Sequence, residues 1–169
     1  MKIEISQAGH GDLNQLADLL AELFTLESDF HPDREKQLRG LRMILDNPAL
    51  GRLFVLRDQS RVAGMANVLF TISTAEGCRV AVLEDVIVCR EYRGNGLGRR
   101  LVEHVLAWAG ANGMTRITLL ADRDNEAALE FYRKLGFRPS QMVVLRRAIP
   151  PSAATNPTAS RTLRPARLC

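Results

Sequence analysis

The segment from residue 93 to residue 98, Arg-Gly-Asn-Gly-Leu-Gly, is the part of this 169-residue chain best suited to chemistry. An apolar pattern typical of a β-strand precedes it at residues 80–88, and only Glu84 and Asp85 interrupt that pattern. A helical pattern follows it, over about residues 98–112. Because a glycine-dense loop between a strand and a helix gathers backbone N–H groups at the positive end of the helix dipole, the segment predicts a phosphate-binding site.

The spacing of the glycines excludes two common phosphate-binding loops. A P-loop requires Gly-x-x-x-x-Gly-Lys-Ser/Thr, which does not occur in this chain. The dinucleotide fingerprint requires Gly-x-Gly-x-x-Gly, and counting from Gly94 and Gly96 places Arg99 where the third glycine would stand. Taken alone, the segment also fits a tight strand-to-helix turn that binds nothing.

A second informative segment, residues 125–137, reads Asn-Glu-Ala-Ala-Leu-Glu-Phe-Tyr-Arg-Lys-Leu-Gly-Phe. Asn125 and Tyr132 are separated by about two turns of a helix and therefore share one face, on which Ala128 leaves room for a ligand. The loop and this helix together resemble the acyl-CoA-binding motifs of the GNAT superfamily of N-acetyltransferases. The resemblance is strong over residues 82–138, whereas the first eighty residues fit the family only in the order of their elements.

The resemblance implies the α/β GNAT fold, a central mixed and mostly antiparallel sheet with splayed central strands and about four helices. It also implies acetyl-CoA as co-substrate, with the pyrophosphate on the glycine loop and the pantetheine arm hydrogen-bonded to the free edge of the splayed strand. A backbone N–H near Ile87 or Val88 would polarise the thioester carbonyl. The predicted donor-binding residues are Val86, Ile87, Val88, Arg93, Gly94, Asn95, Gly96, Leu97, Gly98, Arg99, Asn125 and Tyr132.

Tyr132 is the candidate general acid. Without the resemblance, this side chain would be interpreted as a core aromatic with its hydroxyl at the rim. With it, the phenol is expected to protonate the departing CoA thiolate. A phenol with an ordinary pKa of about 10 stays protonated at neutral pH and can donate that proton.

Glu84 is the candidate general base, which would remove a proton from the acceptor ammonium. Successive residues of a strand point to opposite faces, so regular alternation places Glu84 on the side of Val86 and Val88 and Asp85 on the other. In some relatives a carboxylate on this strand acts directly or through a water chain. A structural ion pair or a substrate anchor remains an alternative role for Glu84.

The predicted function is therefore N-acetylation, in which acetyl passes directly from acetyl-CoA to a primary amine of a small molecule or peptide within a ternary complex. Cys89 is disfavoured as an acyl-carrying nucleophile, because regular alternation places it opposite Glu84 and no histidine lies nearby in sequence. Two alternatives stay open. One is a non-catalytic GNAT-fold module that binds CoA, and the other is a transferase that uses another short acyl-CoA.

The composition of the chain limits the kinds of partner that we expect it to bind. Three arginines and no acids in residues 150–169 account for most of the net charge of +4, so residues 1–149 lack the broad basic face of a nucleic-acid-binding protein. No apolar run is long enough to cross a membrane, and a cytoplasmic protein is expected. The three cysteines and three histidines are scattered, which predicts no metal site. The sequence leaves open whether the chain forms a homodimer.

Hydrophobic periodicity predicts the element order β-α-α-β-β-β-α-β-α-β. Strands that first follow one another and later alternate with helices indicate a mixed sheet, antiparallel early and locally parallel late. The last predicted strand covers residues 141–147. The predicted GNAT domain comprises residues 1–149, and residues 150–169, rich in proline, serine, alanine and arginine, are expected to form a flexible tail.

Overall fold

A five-stranded sheet organises the computed structural model, which describes residues 2–26 and 30–149. Among the described residues, those up to residue 138 form one compact unit, and residues 139–149 belong to a second. The regular elements are β1 (Ile3–Gln7), α1 (Leu13–Leu26), α2 (Arg34–Asp46), β2 (Gly51–Asp58), β3 (Arg61–Ser73), β4 (Cys78–Val88), α3 (Leu97–Ala111), β5 (Ile117–Leu119) and α4 (Glu126–Lys134).

The strands lie in chain order, β1-β2-β3-β4-β5. The first three pairings are antiparallel, and β4 pairs with β5 in parallel because α3 forms the crossover between them. The mixed, mostly antiparallel sheet predicted from the sequence is therefore confirmed. Pairing between β4 and β5 ends where Leu83 meets Leu119, so β4 continues beyond the ladder as the splayed strand that the resemblance implied.

Apolar side chains from alternate strand positions build one core on each face of the sheet. Phe54 of β2 packs in the core that contains Leu101, Val102 and Val105 of α3. The next residue, Val55, packs in the opposite core, which contains Leu16, Leu20 and Leu41 of α1 and α2. We call these the α3 face and the α1/α2 face of the sheet.

A β-bulge interrupts the alternation in β4. Met65 lies opposite Ile87 and Asn67 opposite Glu84, so β4 has one more residue than β3 in this stretch. Asp85 adopts a positive φ of 49° there. Because of the extra residue, Leu83 and Val88, five positions apart, both pack in the α3-face core.

The strand predicted over residues 141–147 is wrong. The described part of the second unit, residues 139–149, contains no helix or strand. The side chains of Met142, Val143, Val144 and Leu145 are exposed. The run is apolar, but a strand is stable only when it pairs with a neighbouring strand. Residues 141–147 neither pair with a strand nor bury their apolar side chains. The tail predicted over residues 150–169 lies outside the described residues.

A partly buried ion pair fixes the start of α1 against the sheet. Both terminal guanidinium nitrogens of Arg57 on β2 donate to the carboxylate of Asp12, at 2.7 and 2.6 Å. The same carboxylate accepts the Gly9 backbone N–H at 2.8 Å. The Arg57 hydrogen bonds, helped by the Gly9 N–H, hold the pKa of Asp12 below its ordinary value.

We expect Asp12→Asn to lower the free energy of unfolding by about 1–3 kcal/mol at neutral pH, the usual cost of losing a hydrogen-bonded charge. The stabilisation is present above the unfolded-state pKa of Asp12 and is lost as the pH falls through the lower folded-state pKa. The difference between variant and wild type should therefore shrink in acid, as measured by urea unfolding.

Asp46→Asn is the matched control, because Asp46 pairs with His10 at an exposed site and an exposed pair contributes at most about 1 kcal/mol. An Asp12→Asn effect of the same size at neutral and strongly acidic pH would contradict the role given to the Asp12 carboxylate.

Candidate functional site

A cleft of about 570 Å³ lies between the end of β4, the glycine loop and α4. It brings together ten of the twelve predicted donor-binding residues, and Asn95 and Asn125 are the two that do not line it. Ala128 and Phe131 of α4 also contribute to its wall. The lining residues are Val86, Ile87, Val88, Arg93, Gly94, Gly96, Leu97, Gly98, Arg99, Ala128, Phe131 and Tyr132.

Backbone conformation explains two of the glycines in the loop. Gly94 has a φ of 79° and Gly96 a φ of 71°, values that glycine adopts without the strain a Cβ atom would bring. Gly96 is the N-cap residue of α3, and no side chain caps this end of the helix. The N–H groups of the first turn are consequently available to an anion, with the helix dipole adding attraction.

Asn95 shapes the loop rather than lining the cleft. Its side-chain amide donates to the carbonyl oxygens of Tyr92 and Arg93, at 3.3 and 3.2 Å. These bonds fold the loop back on the short turn that follows β4. Asn95 therefore acts on the site through the conformation of the loop backbone.

Both arginines that line the cleft, Arg93 of the loop and Arg99 of α3, are already paired. Arg93 donates from Nε to the Val88 carbonyl oxygen at 2.7 Å and from a terminal nitrogen to Glu22 of α1 at 2.6 Å. Arg99 pairs with Glu103 one turn further along α3, at 2.7 Å. Arg93 thus ties the loop to the end of β4 and to α1, and this tie was not evident from the sequence.

Tyr132 is enclosed by aromatic rings on α4 and just after it. The rings of Phe131 and Phe137 meet the tyrosine ring edge-on, with centroids 5.0 and 5.6 Å away. Burial raises the pKa of the Tyr132 phenol to about 12, because the phenolate would lose hydration. The phenol accordingly stays protonated over the whole physiological range and can act as a proton donor in the cleft.

Asn125 serves as the N-cap of α4. Its side-chain oxygen accepts the backbone N–H of Ala128 at 3.0 Å. This bond satisfies one of the unpaired donors of the first helical turn and fixes where the helix begins. Helix capping therefore explains the asparagine at position 125 without a contact to the ligand.

The bulge changes the interpretation of Glu84 and Asp85. With one extra residue in β4, the alternation that placed Glu84 on the side of Val86 and Val88 does not hold, because Leu83 and Val88 share the α3 face. Neither carboxylate is among the residues that line the cleft. The assignment of Glu84 as base stays a prediction, without the geometric argument that first selected it.

Asp85 has a partner that the sequence analysis missed. The side-chain amide of Asn67 on β3 donates to the Asp85 carboxylate at 2.9 Å. Burial raises the pKa of Asp85, and this hydrogen bond opposes the shift in part. An asparagine within the apolar pattern of residues 62–70 was the sequence signal that could have identified the partner.

A smaller cavity of about 240 Å³ lies beside α1, and its lining includes Asp18, Glu22 and Glu91. Each of these acids is ion-paired with an arginine. These ion pairs largely neutralise the negative charge of the cavity lining.

Within the described ranges, no group of three or more His, Cys, Asp or Glu side chains is arranged to hold a metal ion. In the same ranges, no helix is both long and apolar enough to cross a membrane.

Comparison with known proteins finds acetyltransferases by family model, by sequence and by structure. Residues 13–137 match the model of the acetyltransferase (GNAT) family. An uncharacterized N-acetyltransferase of Bacillus subtilis is 30% identical over 119 residues, which are 70% of this chain and 44% of that protein. The chain therefore spans less than half the length of that relative.

Two further proteins match over most of their length. An aminoglycoside N(6')-acetyltransferase type 1 of Acinetobacter baumannii is 28% identical over 135 residues, covering 78% of this chain and 90% of the relative. The crystal structure of a possible acetyltransferase from Clostridium difficile 630 superposes with a TM-score of 0.81 at 18% identity, covering 88% of this chain and 99% of that one. At 18% identity, this structural similarity is evidence for a shared fold alone.

The glycine loop can be tested by a single added methyl group. We expect Gly96→Ala to weaken CoA binding about fivefold to thirtyfold, because a left-handed residue with a Cβ atom costs roughly 1–2 kcal/mol. Gly110→Ala is the matched control on the same helix, since its Cβ would meet no atom within 4 Å and its φ lies outside the left-handed region. Isothermal titration with CoA measures both, and wild-type affinity in folded Gly96→Ala would contradict the loop assignment.

Proposed function

The chain belongs to the GNAT family of acetyltransferases, and from that premise we propose that it transfers the acetyl group of acetyl-CoA directly to a primary amine. The acceptor is an amine of a small molecule or of a peptide, bound together with the donor in a ternary complex. One observation carries the proposal. The cleft joins an uncapped helix N-terminus, the segment of β4 that extends beyond its pairing with β5, and a half-buried tyrosine whose phenol stays protonated.

Each part of the cleft suits one part of the donor. The N–H groups at the start of α3 suit the pyrophosphate, which is where such helix ends bind anions. Residues 86–88 lie beyond the pairing with β5, so their backbone can hydrogen-bond the pantetheine arm as an added strand would. A backbone N–H in the same segment would stabilise the oxyanion that forms on the thioester carbonyl.

The reaction then needs three proton transfers and the replacement of the C–S bond of the thioester by a C–N bond. The acceptor ammonium first loses a proton to a base, for which Glu84 is the sequence-based candidate. The amine nitrogen attacks the thioester carbonyl carbon, and the C–S bond breaks as the C–N bond is completed. The Tyr132 phenol gives its proton to the leaving thiolate and regains one from the nitrogen, so that amide, CoA thiol and one released proton balance the equation.

Tyr132→Phe tests the general acid. We expect kcat to fall about 100-fold, the usual scale for losing a positioned proton donor, while CoA affinity changes little. Because the pKa of Tyr132 is raised to about 12, wild-type turnover should not fall as the pH passes the ordinary phenol pKa of about 10.

Tyr92→Phe is the control, since Tyr92 is the other tyrosine of the chain and its hydroxyl donates to Asp58 outside the cleft. Steady-state kinetics across pH measures both variants. Unchanged kcat in Tyr132→Phe would remove this residue from the acid role.

An amine panel tests the function itself. The full chain is incubated with acetyl-CoA and with kanamycin, glucosamine 6-phosphate, spermidine or peptides that carry a free N-terminus or lysine, and products are identified by mass spectrometry. We expect acetylation of at least one amine, with acetyl-CoA used faster than propionyl- or succinyl-CoA. CoA binding without any acetylated amine would instead favour a non-catalytic binding module.

A further inference from the structure

Two arginines flank one aromatic side chain on the α3 face of the sheet. Phe70 of β3 packs against the core on that face, and its ring stacks on Trp108 of α3 with the centroids 5.9 Å apart. The guanidinium carbon of Arg52 on β2 lies 5.8 Å from the centroid of the Phe70 ring, and that of Arg79 on β4 lies 5.2 Å from it. The three central strands thus hold two cations over one ring, an arrangement that cation–π attraction stabilises.

Exposed apolar surface adjoins these side chains. Ile72 follows Phe70 by two positions on β3 and therefore points to the same face, where it lies opposite Arg79 in the register of β3 and β4. Ile72 is 68% exposed, and Phe70 and Trp108 are half-buried. We call Arg52, Phe70, Ile72, Arg79 and Trp108 the Phe70 patch. None of its residues is among those that line the cleft.

The positive charge of the Phe70 patch is not balanced. Within the described part of the chain, neither Arg52 nor Arg79 pairs with a carboxylate. Arg52 donates to the carbonyl oxygen of Pro48 and, at 2.7 Å, to that of Gly51, and these bonds orient its guanidinium group without neutralising the charge. Arg79 is exposed and donates to no described residue, so its donors are open to a bidentate carboxylate. An anionic ligand would relieve the repulsion between the two cations.

The composition of the Phe70 patch favours a protein partner over a nucleic acid. Tryptophan, phenylalanine and arginine are enriched in protein–protein interfaces, and tryptophan and arginine are frequent there among the residues that contribute most to affinity. A nucleic acid is bound by many cations that follow the phosphate backbone, whereas the patch contains two and residues 1–149 carry little net charge. The exposed apolar surface at Ile72 calls for apolar side chains in the partner. The complementary segment therefore combines acidic and apolar residues.

We propose that the Phe70 patch is a docking surface for an acidic segment of a partner protein. Carboxylates of that segment pair with Arg52 and Arg79, and its apolar side chains pack against Ile72 and the exposed part of the Phe70 ring. Trp108 supports the Phe70 ring from α3. Because the patch shares no residue with the cleft lining, a partner bound there leaves the cleft accessible, and the inference does not depend on the proposed function.

Trp108 gives a direct readout of this surface, because it is the only tryptophan of the chain. The full chain is titrated with the end-capped peptide Glu-Leu-Glu-Glu-Leu-Glu while Trp108 fluorescence is recorded, and isothermal titration gives the dissociation constant independently of Trp108. We expect saturable binding that changes the emission. The uncharged peptide Gln-Leu-Gln-Gln-Leu-Gln and hexaglutamate, which lacks the leucines, should each bind at least about tenfold more weakly. Absence of binding by the first peptide would overturn the inference.

Substitution of Arg79 tests the charge of the patch. Arg79→Gln breaks no hydrogen bond to a described residue, so the variant should fold, and we expect it to weaken peptide binding about threefold to tenfold, as the loss of one charge-assisted contact does. Arg79→Glu should abolish measurable binding, because it repels the acidic peptide. Arg42→Gln is the matched control, since Arg42 is an exposed arginine of α2 with no carboxylate partner among the described residues, and its removal changes the net charge equally.

Three results would overturn the inference. Equal weakening of peptide binding by Arg79→Gln and Arg42→Gln would show attraction by net charge alone. A short single-stranded oligodeoxynucleotide that displaces the peptide at lower concentration would make the patch a nucleic-acid site. A wild-type dimer in sedimentation that Arg79→Glu dissociates would make it an interface between two copies of the chain. Amine acetylation by Arg79→Glu should match the wild type, so failure of this inference and failure of the proposed function are measured separately.

Discussion

One extra residue in β4 is the constraint on which the rest of this molecule depends. The bulge at Asp85 shifts the pleat by one position, so that Leu83 and Val88 both reach the α3 face while Ile87 packs against α1. Without it, the segment after Glu84 would present its side chains to the opposite cores. The bulge lies just beyond the point where pairing to β5 ends, so the change of packing and the opening of the cleft occur at the same place along β4.

The glycine loop depends in turn on where β4 ends. Arg93 bonds the Val88 carbonyl oxygen and Glu22, so one guanidinium joins the last residue of the strand, the loop and the first helix. A paired and half-exposed arginine adds little long-range attraction for a phosphate. Attraction at this loop therefore comes mainly from backbone N–H groups, whose directions are set by Gly94 and Gly96.

Local patterns made most of this fold predictable. The spacing of apolar residues predicted the helices and the first strands, and the two motifs predicted the loop and α4. Both kinds of signal lie within short stretches of chain, so the sequence displays them directly. The bulge could not be predicted in the same way, since Asp85 adopts its left-handed φ without a glycine to mark it. The wrong placement of Glu84 on the side of Val86 and Val88 followed from the unpredicted bulge. The wrong strand over residues 141–147 arose because an apolar run does not reveal whether another strand is available to pair with it.

The polar groups at the bulge are costly features for a fold to retain. A left-handed aspartate costs on the order of 1–2 kcal/mol, and a buried amide oxygen without a partner costs about as much again. Apolar residues with regular alternation would avoid both costs, as they do in β2, where Leu53, Phe54 and Val55 fill both cores. Local conflict with packing of this kind concentrates at functional sites, where a group is kept for what it binds. Asn67 and Asp85 lie beside residues 86–88, the segment of β4 that lines the cleft, so the energetic costs of the bulge fall next to the candidate site.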